Sequence, residues 1–153
     1  MIKLDKIDYE ILRLIQNDGR ISNANLSDSI GLSPSPCLRR VRELEKKNVI
    51  KKYVGLIEPK AVGFLINAFV NVSLRSQEEK SLKVFEESIA IYDEVIECYL
   101  MTGSSDYLLR VVTRDLEDYE RFVINKLTKI EGIANIQTSF ALKPLIQRTE
   151  IPI

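Results

Sequence analysis

From Ile7 to Ile15 the apolar residues Ile7, Ile11, Leu12, Leu14 and Ile15 recur at the period of a helix with one buried face. The pattern predicts a first helix over about 5–17, stopped by the turn-forming Asn17, Asp18 and Gly19. A second, shorter helix follows, with Ser22 placed to cap it, Leu26 and Ile30 as its inward contacts, and Gly31 supplying a residue that tolerates a left-handed conformation. The third begins at Ser33. Pro34 falls at the first helical position and Pro36 at the third, both among amides that have no partner inside a helix, so the prolines open the helix rather than break it. It runs to about Lys47 or Asn48, with Cys37, Leu38, Val41 and Leu44 expected inward and Arg39, Arg42 and Lys46 on another face.

Beyond residue 48 the period changes. "VIKKYVGLIEP" (49–59) reads as an extended connector ending at a proline, and "INAFVNVSLR" (66–75) alternates in the manner of a strand. Residues 76–92 form an amphipathic helix on Leu82, Phe85 and Ile89; 95–115 give a hairpin around a polar glycine-containing turn; 116–130 give another helix, and 133–145 a last strand. The order βαββαβ is that of a ferredoxin-like domain, an antiparallel sheet with both helices on one face. The expected fold class is therefore α+β: a three-helix, winged-type helix-turn-helix domain at 1–52, a connector at 53–65 and a ferredoxin-like domain at 66–153. Phe69, Tyr99 and Phe140 are aromatic residues available to the uncovered surfaces of such a sheet, which favours a dimer through this domain.

Charge sharpens the division. The chain is formally neutral, but residues 1–60 carry 12 Lys+Arg against 8 Asp+Glu, and 61–153 carry 10 against 14. Within 33–52 the count is 7 basic against 2 acidic. Three short helices with a glycine turn before a basic third helix match a DNA reader whose third helix enters the major groove. Ser33, Ser35, Pro36, Arg39 and Arg40 then sit at the entry, where base edges or flanking phosphates are in reach; Arg42 and Lys46, with Lys47 and Lys51, fit phosphate contacts. A basic amphipathic helix is also a common solvated surface; the capped helix and glycine turn ahead of it favour DNA.

Chemistry of other kinds finds little support. There is no histidine, which removes Ser-His and Cys-His nucleophile pairs and the usual zinc ligand sets, and the two cysteines, Cys37 and Cys98, form no CxxC pair. No catalytic residue, metal site or resident cofactor is expected. Neither a signal peptide nor a membrane-length apolar run is present in the sequence, so the expected location is the cytoplasm and no membrane partner is expected. In "MTGSSDY" (101–107), Gly103 lets main-chain amides approach a ligand, Thr102, Ser104 and Ser105 offer hydroxyls, and Asp106 can accept from an ammonium group; taken alone, the stretch is read first as a polar hairpin turn.

These residues carry a family likeness. "LDKIDYEILRLIQNDGRISNANLSDSIGLSPSPCLRRVRELEKKNVI" closely resembles the N-terminal domain of the Lrp/AsnC (feast/famine) transcription regulators, and "LMTGSSDYLLRV" resembles the turn of their amino-acid-responsive domain. The resemblance implies a sequence-specific regulator of double-stranded DNA, built from homodimers into larger rings, commonly octamers, and responsive to a small amino acid such as leucine or methionine bound between dimers. Carried over, the effector residues are Met101, Gly103, Ser104, Ser105, Asp106 and Tyr107, with Thr138 and Ser139 contributed by a neighbour. The rival expectation is an amino-acid-binding regulatory subunit acting through protein–protein contacts, with the helical unit as a docking module.

Overall fold

The computed structural model describes residues 2–153 and divides into two compact units. One runs to Leu56 and takes back Ile146–Ile153; the other is Ile57–Leu145. The expected 66–153 domain makes up most of the second unit, and its last eight residues pack with the helical unit. Residues 51–58 form neither helix nor strand.

In the helical unit, α1 (Lys6–Asn17) opens on a capping box in which the Asp5 carboxylate accepts from the Asp8 amide and the Asp8 carboxylate from the Asp5 amide. α2 (Asn23–Ser29) is capped by Ser22 Oγ, and α3 (Pro34–Lys46) starts at Ser33 with Pro34 inside its first turn, as the sequence predicts. Ser33 occupies the cap position without making a side-chain cap bond. Gly31, at φ 65°, turns the chain between α2 and α3, and the Leu32 amide returns to the Ser27 carbonyl at 2.9 Å. Asn23 Nδ2 donates to the Pro34 carbonyl at 2.9 Å and ties the start of α2 to the start of α3. Ile11, Leu12, Leu26, Cys37 and Leu44 form the core of this unit.

Leu38, expected inward, is instead 38% exposed. The buried stripe of α3 follows Cys37, Val41 and Leu44, spaced four and three apart; Leu38 stands one residue, about 100°, round the helix. Cys37 is fully buried, and burial pushes its thiol pKa up, so it packs as a small apolar group.

The second unit holds β1 (Ile66–Leu74), α4 (Glu79–Ile89), β2 (Val95–Leu100), β3 (Tyr107–Thr113), α5 (Leu116–Asn125) and β4 (Ile133–Phe140). Its antiparallel sheet has the order β2-β3-β1-β4, the ferredoxin-like arrangement. Alternation sends Ala68, Val70, Val72 and Leu74 of β1, and Tyr107, Leu109 and Val111 of β3, into one core with Phe85, Ile89, Tyr119 and Phe122. Each such large side chain contributes about 1.5–3 kcal/mol through burial. The opposite face carries Phe69, 37% exposed, Tyr99, 51% exposed, and Arg110, which donates to Glu97 at 3.0 Å and Asn67 at 3.2 Å. Phe140 does not join them. The register pairs it with Ala68, whose side chain points to the core, and its ring meets Tyr119 edge-on at 5.1 Å.

Candidate DNA-reading helix and effector turn

The α3 helix presents its charge on a face its packing leaves open. Ser33, Ser35, Arg39, Arg42 and Lys46 are exposed, while Pro36 is half-buried. Arg39, Arg42 and Lys46 stand at i, i+3 and i+7, one face of the helix, and none of the three makes an ion pair among the described residues. The geometry offers a row of exposed cations beginning in the first half of a proline-opened helix, an arrangement suited to grip phosphates and reach bases.

Arg40 is placed differently. Its Nη1 donates to Asp5 Oδ2 at 2.7 Å and to Asp8 Oδ1 at 2.8 Å, the two carboxylates of the α1 capping box. The reason is helical phase: one residue beyond Arg39 turns the side chain from the open face toward α1. The expectation that Arg40 stands free at the DNA entry is therefore corrected; its guanidinium is committed to holding α1 against α3. Bonding to the Asp8 amide, then to Arg40, holds the Asp5 pKa below its ordinary value of 3.8. A depressed carboxylate stabilises the fold above its ordinary pKa, and that contribution disappears as pH falls through the lowered one. Arg40→Ala is expected to lower stability by roughly 1 kcal/mol, the upper end for a solvent-screened pair, as read from urea unfolding at pH 7. The difference from wild type should shrink only as pH falls below the ordinary Asp5 value of 3.8, where that carboxylate begins to take up a proton. An equal loss at pH 3 and pH 7 would contradict the pairing.

The second candidate site is the turn between β2 and β3. Its ends are closed by the Met101 amide donating to the Asp106 carbonyl at 2.8 Å, and the Asp106 amide donates to Val72 of the neighbouring β1 at 3.0 Å. Asp106 Oδ2 accepts from the Leu74 amide at 2.7 Å and from Gln77 Nε2 at 3.4 Å. Ser105 Oγ bonds Asn71 Oδ1 at 3.1 Å. The turn is thus stitched along one side to β1, leaving Met101, Thr102, Gly103 and Ser104 exposed at its tip. Gly103 adopts φ 117°, a conformation that side chains disfavour, and no atom lies within 4 Å of where a Cβ would stand. Small polar groups and bare backbone consequently line an open surface. The Asp106 carboxylate retains acceptor capacity, since an ionised carboxylate offers about four lone-pair sites.

Three of the residues expected at this site are distributed otherwise. Tyr107 is 1% exposed: β3 alternation drives it into the core, its hydroxyl donates to Glu86 at 2.9 Å, and its ring lies 4.4 Å from that of Phe85. Burial, then Glu86, pushes its phenol pKa up. Its position makes it the anchor of the turn to α4 rather than a lining residue. Thr138 and Ser139 occupy opposite sheet faces. Thr138 pairs with core-facing Val70 and shares a 2.5 Å hydrogen bond with the Tyr119 hydroxyl, whereas Ser139 pairs with Phe69 and is exposed. One approaching ligand cannot meet both side chains from the same side of the sheet. Asn71 and Gln77, which hold the turn, are absent from the sequence expectation. The polar alternation of β1 was visible, but its registry against the turn was not.

No helix among the described residues is long and apolar enough to cross a membrane. Known proteins align with both halves. A winged helix-turn-helix DNA-binding pattern matches residues 4–51, and the Lrp/AsnC ligand binding domain matches residues 67–151. The chain is 42% identical to the Bkd operon transcriptional regulator of Pseudomonas aeruginosa over 153 residues, all of both proteins. It is 34% identical to the leucine-responsive regulatory protein of Escherichia coli over 150 residues, 98% of this chain and 92% of that one. Among solved structures, a transcriptional regulator of Neisseria meningitidis in complex with L-Met superposes with a TM-score of 0.93 at 37% identity, covering 98% of this chain and 97% of the other.

Proposed function

This chain belongs to the Lrp/AsnC family of transcription regulators, and we propose that α3 reads its operator through Ser35, Pro36 and Arg39 while the 101–106 turn takes a free amino acid. DNA binding and a response to amino acids come with the family; the side chains that perform them are the proposal. Arg42 and Lys46 grip phosphates along the same face, Ser33 and Pro34 begin the helix there, and Arg40 holds the helix in place. The observation that carries the reading is the opposite commitment of two adjacent arginines: Arg40 is spent on Asp5 and Asp8, and Arg39 is left exposed beside the first turn.

At the turn, Gly103 and the Ser104 hydroxyl suit an amino acid's carboxylate, and Asp106 suits its ammonium group, with Met101 beside the side chain. A neutral apolar amino acid such as leucine or methionine is the preferred effector, and no other cofactor is required. The protein works as a homodimer, with Phe69 and Tyr99 of the open sheet face covered by a second copy, and dimers join into a ring, commonly of eight; Ser139, on that face, belongs with the assembly rather than with the core. Two related α3 helices then read a pseudo-palindromic cytoplasmic DNA site. The protein regulates rather than catalyses.

A thermal-shift screen against the twenty amino acids tests the sensing part. A true effector at 100 times its dissociation constant should stabilise the chain by about 2.7 kcal/mol. A flat screen would mean that the turn is a polar hairpin and no more.

A further inference from the structure

The start of α3 lacks the hydrogen bond that usually fixes a helix N-terminus. A cap side chain accepts from the amide of the second or third helical residue. In α3 those residues are Ser35 and Pro36; Pro36 has no amide, and the Ser33 side chain makes no cap bond. The start is held instead from its acceptor side. Asn23 Nδ2 donates to the Pro34 carbonyl at 2.9 Å, across eleven residues of sequence. The Oδ1 atom of the same amide is buried and has no partner among the described residues. A flipped amide would set that oxygen against the Pro34 carbonyl, acceptor facing acceptor, so the donor alone fixes the orientation of Asn23. A buried unpaired oxygen costs stability, so packing does not account for an amide at this position. The base of the contact is itself anchored. Asn23 is the first residue of α2, the Ser22 hydroxyl caps that helix by accepting from the Asn25 amide at 3.1 Å, and Leu26 and Ser27 are buried one turn on.

We infer that Asn23 is a positioning residue for sequence discrimination: through the Pro34 carbonyl it sets where the first turn of α3 stands, and so which base edges Ser35 and Pro36 meet. It touches no base in this role, and the role rests on α3 being the helix that reads DNA. The main-chain bond from Leu32 to Ser27 ends before Ser33, so Asn23 carries the link from α2 into α3 itself. Its influence falls with distance along the helix. Ser35 and Pro36 follow Pro34 directly, whereas Lys46 is twelve residues on, about 18 Å at the helical rise per residue. Shifting the helix start therefore moves the side chains at the reading end and leaves the phosphate grip of Arg42 and Lys46 near where it was. Discrimination and electrostatic affinity separate in this way because base contacts specify sequence and phosphate contacts hold register.

The test uses the full chain and two substitutions, Asn23→Asp and Asn23→Ala. The first keeps the shape, removes the donor and sets a carboxylate against the Pro34 carbonyl, while its charge suits the N-terminus of α2. The second removes the donor and the unpaired oxygen together, so the variant buries no unsatisfied group of its own. Both are expected to keep the wild-type helical circular dichroism. Anisotropy then measures binding to a wild-type-selected duplex, its single-base-pair variants and an unrelated duplex, at two salt concentrations. Wild type should separate the selected duplex from a mismatched one by roughly 5–150-fold, and both Asn23 variants should lose at least about threefold of that ratio at one or more positions. Affinity for the unrelated duplex and the salt slope should stay as in wild type. A contact that merely stabilises the fold would weaken binding to every duplex by one factor and leave the ratio intact, and that outcome overturns the proposal. So does unchanged discrimination in variants that fold, or loss of helical signal in both. Arg39→Glu, measured alongside, tells two failures apart. If it binds as wild type does, α3 is not the reading helix and the role of Asn23 goes with it; if it binds weakly while the Asn23 variants discriminate normally, the role of Asn23 alone is refuted.

Discussion

Arg39→Glu is expected to weaken binding to a duplex selected by the wild-type protein by at least about 10–100-fold, the worth of a good arginine–base contact. Because Arg39 is exposed and makes no ion pair among the described residues, the variant should unfold at the wild-type urea midpoint. Neighbouring substitutions divide the role further. Lys46→Ala should weaken binding to all duplexes alike and reduce the salt slope by about one, as for a lost phosphate contact, whereas Arg39→Ala should also relax preference at particular base positions. Arg40→Ala should act mainly through stability. If Arg39→Glu binds with unchanged affinity and salt slope, α3 is not the reading helix.

The second large effect is expected at Asp106, where two roles overlap in one carboxylate. Asp106→Ala removes the acceptor for the Leu74 amide, and an orphaned, partly buried N–H costs about 1–3 kcal/mol. The same change removes the anion proposed to meet the effector's ammonium group. Asp106→Asn separates the two roles, because its carbonyl oxygen can still accept from Leu74 while the negative charge is gone. The expected pattern is a destabilised Asp106→Ala, a near-wild-type Asp106→Asn, and loss of the amino-acid thermal shift in both. A full shift in Asp106→Asn would remove the carboxylate from the recognition scheme and leave it as a strand-end cap. Since Tyr107 is buried against Phe85 and bonded to Glu86, movement of the turn would also be felt by α4; Tyr107→Phe keeps the packing and removes only that hydroxyl link.

How much of this was legible in the sequence depends on the distance over which each feature is decided. The starts of α2 and α3, the proline-opened helix and the Gly31 turn are matters of neighbouring amides and φ angles, and they stand where the local pattern puts them. The same holds for the strand-helix order of the second unit, because periods of 2 and 3.6 are local properties. The exposed Arg39, Arg42 and Lys46 face was likewise visible as a spacing.

Other features required partners that are distant along the chain. Arg39 and Arg40 are chemically identical neighbours; helical phase turns them to different sides, but that Arg40 meets a pair of carboxylates there is decided by Asp5 and Asp8, which lie more than thirty residues earlier. Thr138, Ser139 and Phe140 follow one another on one strand, but their faces were assigned only when β4 took its register against β1, since a one-residue slip exchanges them all. Asn71 came beside the 101–106 turn through the register of β1 against β3, and Gln77 reached Asp106 from the segment after β1. Residues 146–153 were included in the expected 66–153 domain, yet they pack in the helical unit, where Gln16, 135 residues away, bonds Ile151. By itself the sequence determined the elements, the division of charge and the basic face of α3, because backbone sterics and hydrophobic period act between near neighbours. Tertiary structure decided which charged groups are free and which are committed, because ion pairing and strand registry depend on groups that only folding brings together.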